Sequence, residues 1–395
     1  MQPISCHQSS KNFANSCFGC LLLLLCSCTT SPIQRELIAI ETVGDVALNQ
    51  AAATPTDNEL LEVGILVFAA NNIDQERYQL GDWVFDEILQ NETQFLPHLL
   101  KQTLLESNQW GAVRVIPESD PSLDVLLTGE IINSDGRNLI LEITATDSSG
   151  RQWLKQSYAD LAGFSDYPES TRFTLEDSFD ARNFTDPFQD IYNQIANDLL
   201  AARNNLGDEI LAEINLVTQM KYASDLAPDT FSHTLEQDAD GLLAVTSLLA
   251  DNDPMLARVA DIQYRHHLFI DTVDEYYETL YNDIKPAYVL WRRYSIDEVI
   301  ETEETQLEAE VNNYGTASSF LSLSQRYDRF KWSKIFEREF IELASGFNTE
   351  LAPAMLELNT QVHGLNGTME QQYREWRGVL KSLFELETGQ STSGN

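Results

Sequence analysis

The stretch from Leu123 to Asp160 limits the folds open to this chain more than any other. It reads LDVLLTGEIINSDGRNLILEITATDSSGRQWLKQSYAD. Three segments of strand length are separated by two short turns, NSDGRN and SSGR, each holding a glycine. In LILEITATD, the residues Leu139, Leu141, Ile143 and Ala145 recur at every second position. A strand places alternate residues on opposite faces, so these four share one buried face. Turns this short join antiparallel neighbours, and the stretch predicts a three-strand meander. Ahead of it, EVGILVFAA is an apolar run of strand length. Trp83, Ile88, Phe95, Leu99, Leu100 and Leu104 then keep near-helical spacing, with Pro97 marking a kink or a new start. AVRVIPE is a further short strand, ended by Pro117. The order β-α-β followed by a meander predicts an α+β unit over residues 59–162, a mixed sheet layered with helices.

Helical signals dominate the rest of the chain. Residues 163–207 read as an acidic loop and a helix. Asp186 is its expected N-cap and Pro187 its first residue. Phe188, Ile191, Ile195, Leu199 and Leu200 form one face, and Gly207 is the stop. Residues 208–345 read as a mainly helical domain. It opens with a helix, a loop at LAPDTFSHTLEQDADG and a short apolar strand or turn. Asp253-Pro254 caps the next helix, and no glycine interrupts Leu242 to Tyr314. Ile270, Val273, Tyr277, Leu280 and Ile284 step by three and four, a heptad-like seam. Pro286 is expected to break or bend it. Residues 346–395 read as a small C-terminal piece, with a strand within MLELNTQVHGLNG and a closing helix. Thr368 and Gln371 fit a capping box there, and Tyr373, Trp376, Leu380 and Leu383 form the apolar stripe.

Cysteine use divides the chain. Cys6, Cys17, Cys20, Cys26 and Cys28 all lie in the first 28 residues, and the remainder has none. The body therefore has no disulfide framework and no thiolate metal site. Phe18 to Cys26 is almost wholly apolar, far short of the ~20 residues of a permanent span. Leu25-Cys26-Ser27-Cys28 resembles a bacterial lipoprotein lipobox. That resemblance implies a signal peptide over residues 1–27 and lipidation of Cys28 by a diacylglyceryl thioether. Cleavage before it and acylation of the new amine would follow. Thr29, rather than Asp, implies sorting to the outer membrane of a Gram-negative bacterium, on the periplasmic face. A long opening region with Lys11 as its one base, and Cys at the position two before Cys28, depart from the pattern. An ordinary cleaved signal or a short buried helix is the alternative. Residues 28–58 are small, polar and weakly patterned, and read as a tether with a short ordered piece at Leu37–Val43.

Residues 59–160 resemble the α+β domain shared by the curli secretion lipoprotein, the penicillin-binding-protein activator lipoproteins and the N-terminal domain of the Tol translocation β-propeller protein. The matching residues are Asp124 to Ile131, then Leu139 to Asp147 and Gly150. Gly129 would relieve crowding in its strand, and Asp147 with Gly150 would close a turn. The resemblance implies a lipid-anchored, periplasm-facing envelope protein that binds an envelope protein partner or activates it, without catalysis.

The remaining patterns weigh against particular chemistries. Sixty-two acids and 25 bases give a net charge of −37. That charge repels nucleic acid phosphates, so no nucleic acid partner is expected. No P-loop, dinucleotide-binding or serine-hydrolase motif occurs, and no catalytic residue, cofactor or metal ligand is assigned. His266, His267, Asp271, Asp274 and Glu278 have helical spacing, and a hydrolytic metal site is conceivable. A solvated helix edge is the preferred reading. EVIETEETQLEAE lacks the glycine and alternating ligands of a calcium loop, and reads as a solvated helix face. Arg326, Arg329, Lys331, Lys334 and Arg338 mix with aromatics, which fits either a partner contact or pairing with that acidic helix. The alternatives to a binding protein are a hydrolase with an unrecognised site, and a structural oligomer or secretion component.

Overall fold

The computed structural model describes residues 40–70, 86–167, 184–247, 250, 253–311, 355–358, 361–364 and 368–388. Strand β1 (Val63–Leu66) leads to helix α1 (Asp86–Ser107) and strand β2 (Val113–Ile116). The meander comes next as β3 (Val125–Ser134), β4 (Asn138–Asp147) and β5 (Gln152–Leu161). These strands form one mixed sheet in the order β2-β1-β3-β4-β5. β1 pairs in parallel with β2 and β3, and the meander is antiparallel. The fold is α+β, as its strand and turn pattern predicts.

Local chemistry accounts for each strand. Leu139, Leu141, Ile143 and Ala145 of β4 are wholly buried, while the residues between them are half-buried. β1 lies between parallel neighbours, and Val63, Gly64 and Ile65 are all buried, as a covered parallel strand requires. Gly129 faces the Phe68 ring so closely that a Cβ there would lie 2.5 Å from it. The expected relief of crowding thus has a named cause. Gly150 adopts φ +94° and donates its N–H to Asp147 O at 2.9 Å, closing the β4–β5 turn.

The helical part consists of α2 (Gln189–Asn204), α3 (Asp208–Leu226), the single turn α4 (Pro228–Phe231), α5 (Pro254–Val311) and α6 (Met369–Thr388). Hairpins β6 (Leu235–Gln237)–β7 (Leu243–Val245) and β8 (Met355–Leu358)–β9 (Gln361–Gly364) accompany them. α1 packs on β1 and β2, α2 on β5, and α5 along α1, β2, α3 and α6. One hydrophobic cluster runs from Leu61 through the sheet and helices to Phe384. Thr368 and Gln371 form the expected capping box at the start of α6, with Gln371 N donating to Thr368 Oγ1 at 3.4 Å. No helix among the described residues is long and apolar enough to cross a membrane.

Three local expectations need correction. α5 runs unbroken through Pro286 for 58 residues. A proline costs a helix about 3 kcal/mol, but here Phe95 of α1 packs against Tyr281 (4.5 Å) and Tyr288 (4.1 Å), which straddle the proline. That contact braces the helix on both sides of the proline. α2 begins at Gln189, after Asp186 and Pro187, because Asp186 Oδ1 accepts from Phe188 N at 2.9 Å and caps a preceding turn. Gly207 is the N-cap of α3, in extended conformation, rather than the stop of α2.

Residues 40–58, read from sequence as part of the tether, lie against the body. Thr42 bridges Ala159 of the edge strand β5 in parallel, and Val43 N donates to Ala159 O at 2.9 Å. Asp190, Asn193 and Asn197, one face of α2, then bond the backbone of Val46, Ala47 and Asn49.

Candidate functional site

α5 meets the sheet and α1 through a row of acids and histidines, engaged by partners from several parts of the chain. Asp120, in the loop before β3, sits 2.7 Å from His266 Nε2 through Oδ2. Tyr373 of α6 donates to the same oxygen at 2.6 Å, and Ser122 donates to Oδ1 from its N–H and its hydroxyl. Both the Asp120 and His266 side chains are 0% exposed. Burial alone would raise the Asp120 carboxyl, but its electrostatic attraction to His266, with the bonds from His266, Ser122 and Tyr373, holds it well below the usual carboxylate range.

Next along α5, Arg114 of β2 lies between Asp271 (2.5 Å) and Glu62 (2.7 Å). His267 Nδ1 lies 3.3 Å from Glu62 Oε2, and burial lowers the His267 pKa. Lys101 of α1 binds Asp274 at 2.5 Å with Glu278 at 3.7 Å, while Asp274 Oδ1 accepts from Val115 N at 3.1 Å. Two turns beyond Tyr281, Glu92 Oε1 accepts from Ser134 Oγ (2.8 Å), Tyr288 OH (2.8 Å) and Arg292 Nη2 (3.3 Å). The Glu92 and Arg292 side chains are 0% and 1% exposed.

These contacts decide what the His266–Glu278 row is. His266, His267 and Asp274 point inward, which corrects the solvated-edge reading for them, while Asp271 and Glu278 stay about half exposed and lie on a solvated edge as expected. A charge removed from water needs a partner, and β2 supplies Arg114 and α1 supplies Lys101. His266 turns to Asp120, His267 to Glu62, Asp271 to Arg114, and Asp274 and Glu278 to Lys101, and no group of three His, Cys, Asp or Glu among the described residues is placed to hold a metal ion. Cys28 and the basic cluster Arg326–Arg338 lie outside the described residues. The acidic run Glu298–Glu310 falls within α5.

Among the described residues, a cleft of about 440 Å³ opens at the N-terminal ends of β1 and β3. Leu60 and Glu62 line it from the approach to β1, and Ser122 and Asp124 from the approach to β3. Ala212, Asn215, Leu216, Thr218 and Gln219 come from α3, and Gln263 from α5. Asp124 Oδ2 accepts from Glu62 N at 2.8 Å. Burial raises the Asp124 carboxyl to about 6, against the lowering effect of the Thr218 hydroxyl and the Glu62 N–H. Such a group exchanges a proton near neutrality, and a cleft with convergent polar groups is the ordinary form of a binding site. Sequence reasoning passed over it. Asp124 had a signal, an acid directly ahead of an apolar strand, but its partners on α3 and α5 lie some ninety or more residues away.

Compared with known protein families, curated proteins and solved structures, the chain matches none.

Proposed function

We propose that this chain is a lipid-anchored, periplasm-facing envelope protein whose folded body binds another envelope protein. The observation that carries the binding role is the polar cleft around Asp124, assembled from four separated parts of the chain and backed by buried ion pairs. Buried pairs hold helices in one register on the sheet, and a recess with fixed walls is what selective binding needs. The lipobox-like Leu25-Cys26-Ser27-Cys28 supports anchoring through Cys28. Several acyl chains anchor durably, since each buried CH₂ adds about 0.8 kcal/mol. The test is in-cell crosslinking followed by purification and mass spectrometry, beside Cys28→Ala. One recurrent envelope partner, lost in the variant, supports the reading. Crosslinks to copies of itself alone, or none that recur, overturn it.

A hydrolytic enzyme is the second reading, and one observation favours it. Asp124, with its raised carboxyl, shares a cleft with Glu62, and paired carboxyls with divergent environments can serve as acid and base. Turnover of an envelope polymer by the purified protein, abolished in Asp124→Asn, would favour it over binding.

A further inference from the structure

We propose that one face of α2 is a releasable clamp on the chain's own tether, and that its opening lengthens the leash between Cys28 and the folded body. This deepens the anchoring proposed above and rests on it.

The clamp reads backbone alone. Asp190 Oδ1 accepts from Val46 N at 3.0 Å, and Asn193 Nδ2 donates to Val46 O at 2.8 Å. One turn further on, Asn197 donates to Ala47 O at 2.9 Å and accepts from Asn49 N at 2.9 Å. An amide that takes the C=O and the N–H of residues two apart does what a neighbouring strand would do. Asp190, Asn193 and Asn197 step by three and four, so they share one face of α2. That face is oriented by the body and not by the strap. Gln189 donates to Asn193 Oδ1 at 3.2 Å and to Thr103 Oγ1 of α1 at 2.8 Å, which turns the N–H side of Asn193 to the strap.

The strap itself is lightly held. None of residues 40–50 is buried, and Val43 and Leu48 meet the hydrophobic cluster only part-buried. Its bonds to Asn197 are exposed, where water replaces them at small net cost. Ordering each residue costs conformational entropy, so a segment with few buried contacts and exposed hydrogen bonds opens ahead of the core. No wholly buried side chain leaves the core when it does.

Chain length converts the opening into reach. With the strap closed, the body is held at Val43, whose N–H donates to Ala159 O. From Cys28 to Val43 the chain reaches at most about 50 Å, at roughly 3.3 Å per residue. With the strap open, the next hold is Ala51, whose N–H donates to Ser107 O at 2.8 Å. At the same rise per residue the reach from Cys28 grows to about 75 Å. An anchored body that must meet an envelope partner gains that distance without unfolding.

Hydrogen exchange of the full chain, resolved to single residues by mass spectrometry, reads the opening. The Val46 and Asn49 amides should exchange about a hundredfold or more faster than those of β4. Asn197→Ala removes two bonds and adds the best helix former, so it should speed Asn49 by about tenfold and leave β4 unchanged. Exchange of Val46 and Asn49 as slow as that of β4 overturns the release. No effect of Asn197→Ala overturns the assignment of the clamp to α2. Reach is read on the lipidated full chain in vesicles of phosphatidylethanolamine and phosphatidylglycerol. The donor dye sits at Glu236→Cys, an exposed site on β6 in a body otherwise free of cysteine, and the acceptor dye in the lipid. Asp190→Ala/Asn193→Ala/Asn197→Ala should lower the energy transfer to the bilayer, and thermal melts establish that the variant is folded. Unchanged transfer in a folded variant whose strap exchanges freely overturns the leash. A full chain that does not stay on the vesicles overturns the anchored reading and the leash with it, while the exchange data still decide the clamp.

Discussion

Replacing Arg292 with methionine isolates the buried Arg292–Glu92 ion pair. In the wild type, its guanidinium lies 3.3 Å from Glu92 Oε1 and 3.1 Å from Ser134 Oγ, over the rings of Phe188 (4.7 Å) and Tyr288 (4.9 Å). Methionine keeps much of the packing and removes every one of these polar contacts. Glu92 then keeps two neutral donors, Ser134 and Tyr288, and loses its countercharge at 0% exposure. Breaking one side of a buried pair costs about 3–5 kcal/mol, a large share of the roughly 5–15 kcal/mol of a typical domain. Glu92→Gln/Arg292→Met removes both charges and keeps an amide oxygen for Ser134 and Tyr288. The double variant should therefore be more stable than Arg292→Met alone, by about 2 kcal/mol. Urea unfolding followed by far-ultraviolet circular dichroism measures both, provided the slope with denaturant stays constant. If Arg292→Met costs under about 1 kcal/mol, or the two single changes simply add, the pair does not fasten α5 to the sheet.

Other perturbations test other parts of the structure. Burial depresses the His98 pKa to about 3, so its neutral form contributes stability that is full above its unfolded value of 6.5 and is lost as pH falls toward 3. His98→Leu should flatten the acid limb of the stability curve between those limits, and unchanged slopes would refute this. Asp124 has the opposite sign: its raised carboxyl makes the folded state less favourable as pH rises from 3.8 to about 6. Asp124→Asn should gain up to about 3 kcal/mol at pH 7 and nothing at pH 3, by urea titration. Gly129→Ala places a methyl 2.5 Å from the Phe68 ring and should cost about 1–3 kcal/mol. Gly150→Ala meets no atom within 4 Å and bears only the cost of φ +94°, about 1 kcal/mol. A reversed ranking in thermal melts would contradict the crowding argument.

The sheet was legible because Leu139, Leu141, Ile143 and Ala145 alternate, and because NSDGRN and SSGR can only turn. The capping box at Thr368 was legible because its bonds span three residues. What stayed hidden depends on contacts with no periodic trace. Asp190, Asn193 and Asn197 bind the backbone of residues 46–49, and backbone groups look alike in any sequence. The acids of α5 keep the same spacing whether they face water or Arg114 and Lys101. Pro286 signals a break, and the rings that overrule it come partly from α1. Asp124 marks one wall of the cleft, while its opposite wall lies on α3 and α5.

The buried bonds also set a timetable. Asp120 waits for His266, 146 residues later, and for Tyr373, 253 residues later; Glu92 waits 200 residues for Arg292. At roughly 5–20 residues per second, synthesis completes β5 on the order of ten seconds or more before Tyr373 emerges. For about the first half of that interval, until His266 and then Arg292 are made, the meander is whole, yet Asp120 and Glu92 have no countercharge to bury against. The first half of the chain cannot reach its final packing until the last helix arrives. A chain ending short of Tyr373 would thus carry its defect in the sheet, far from the place where it was cut.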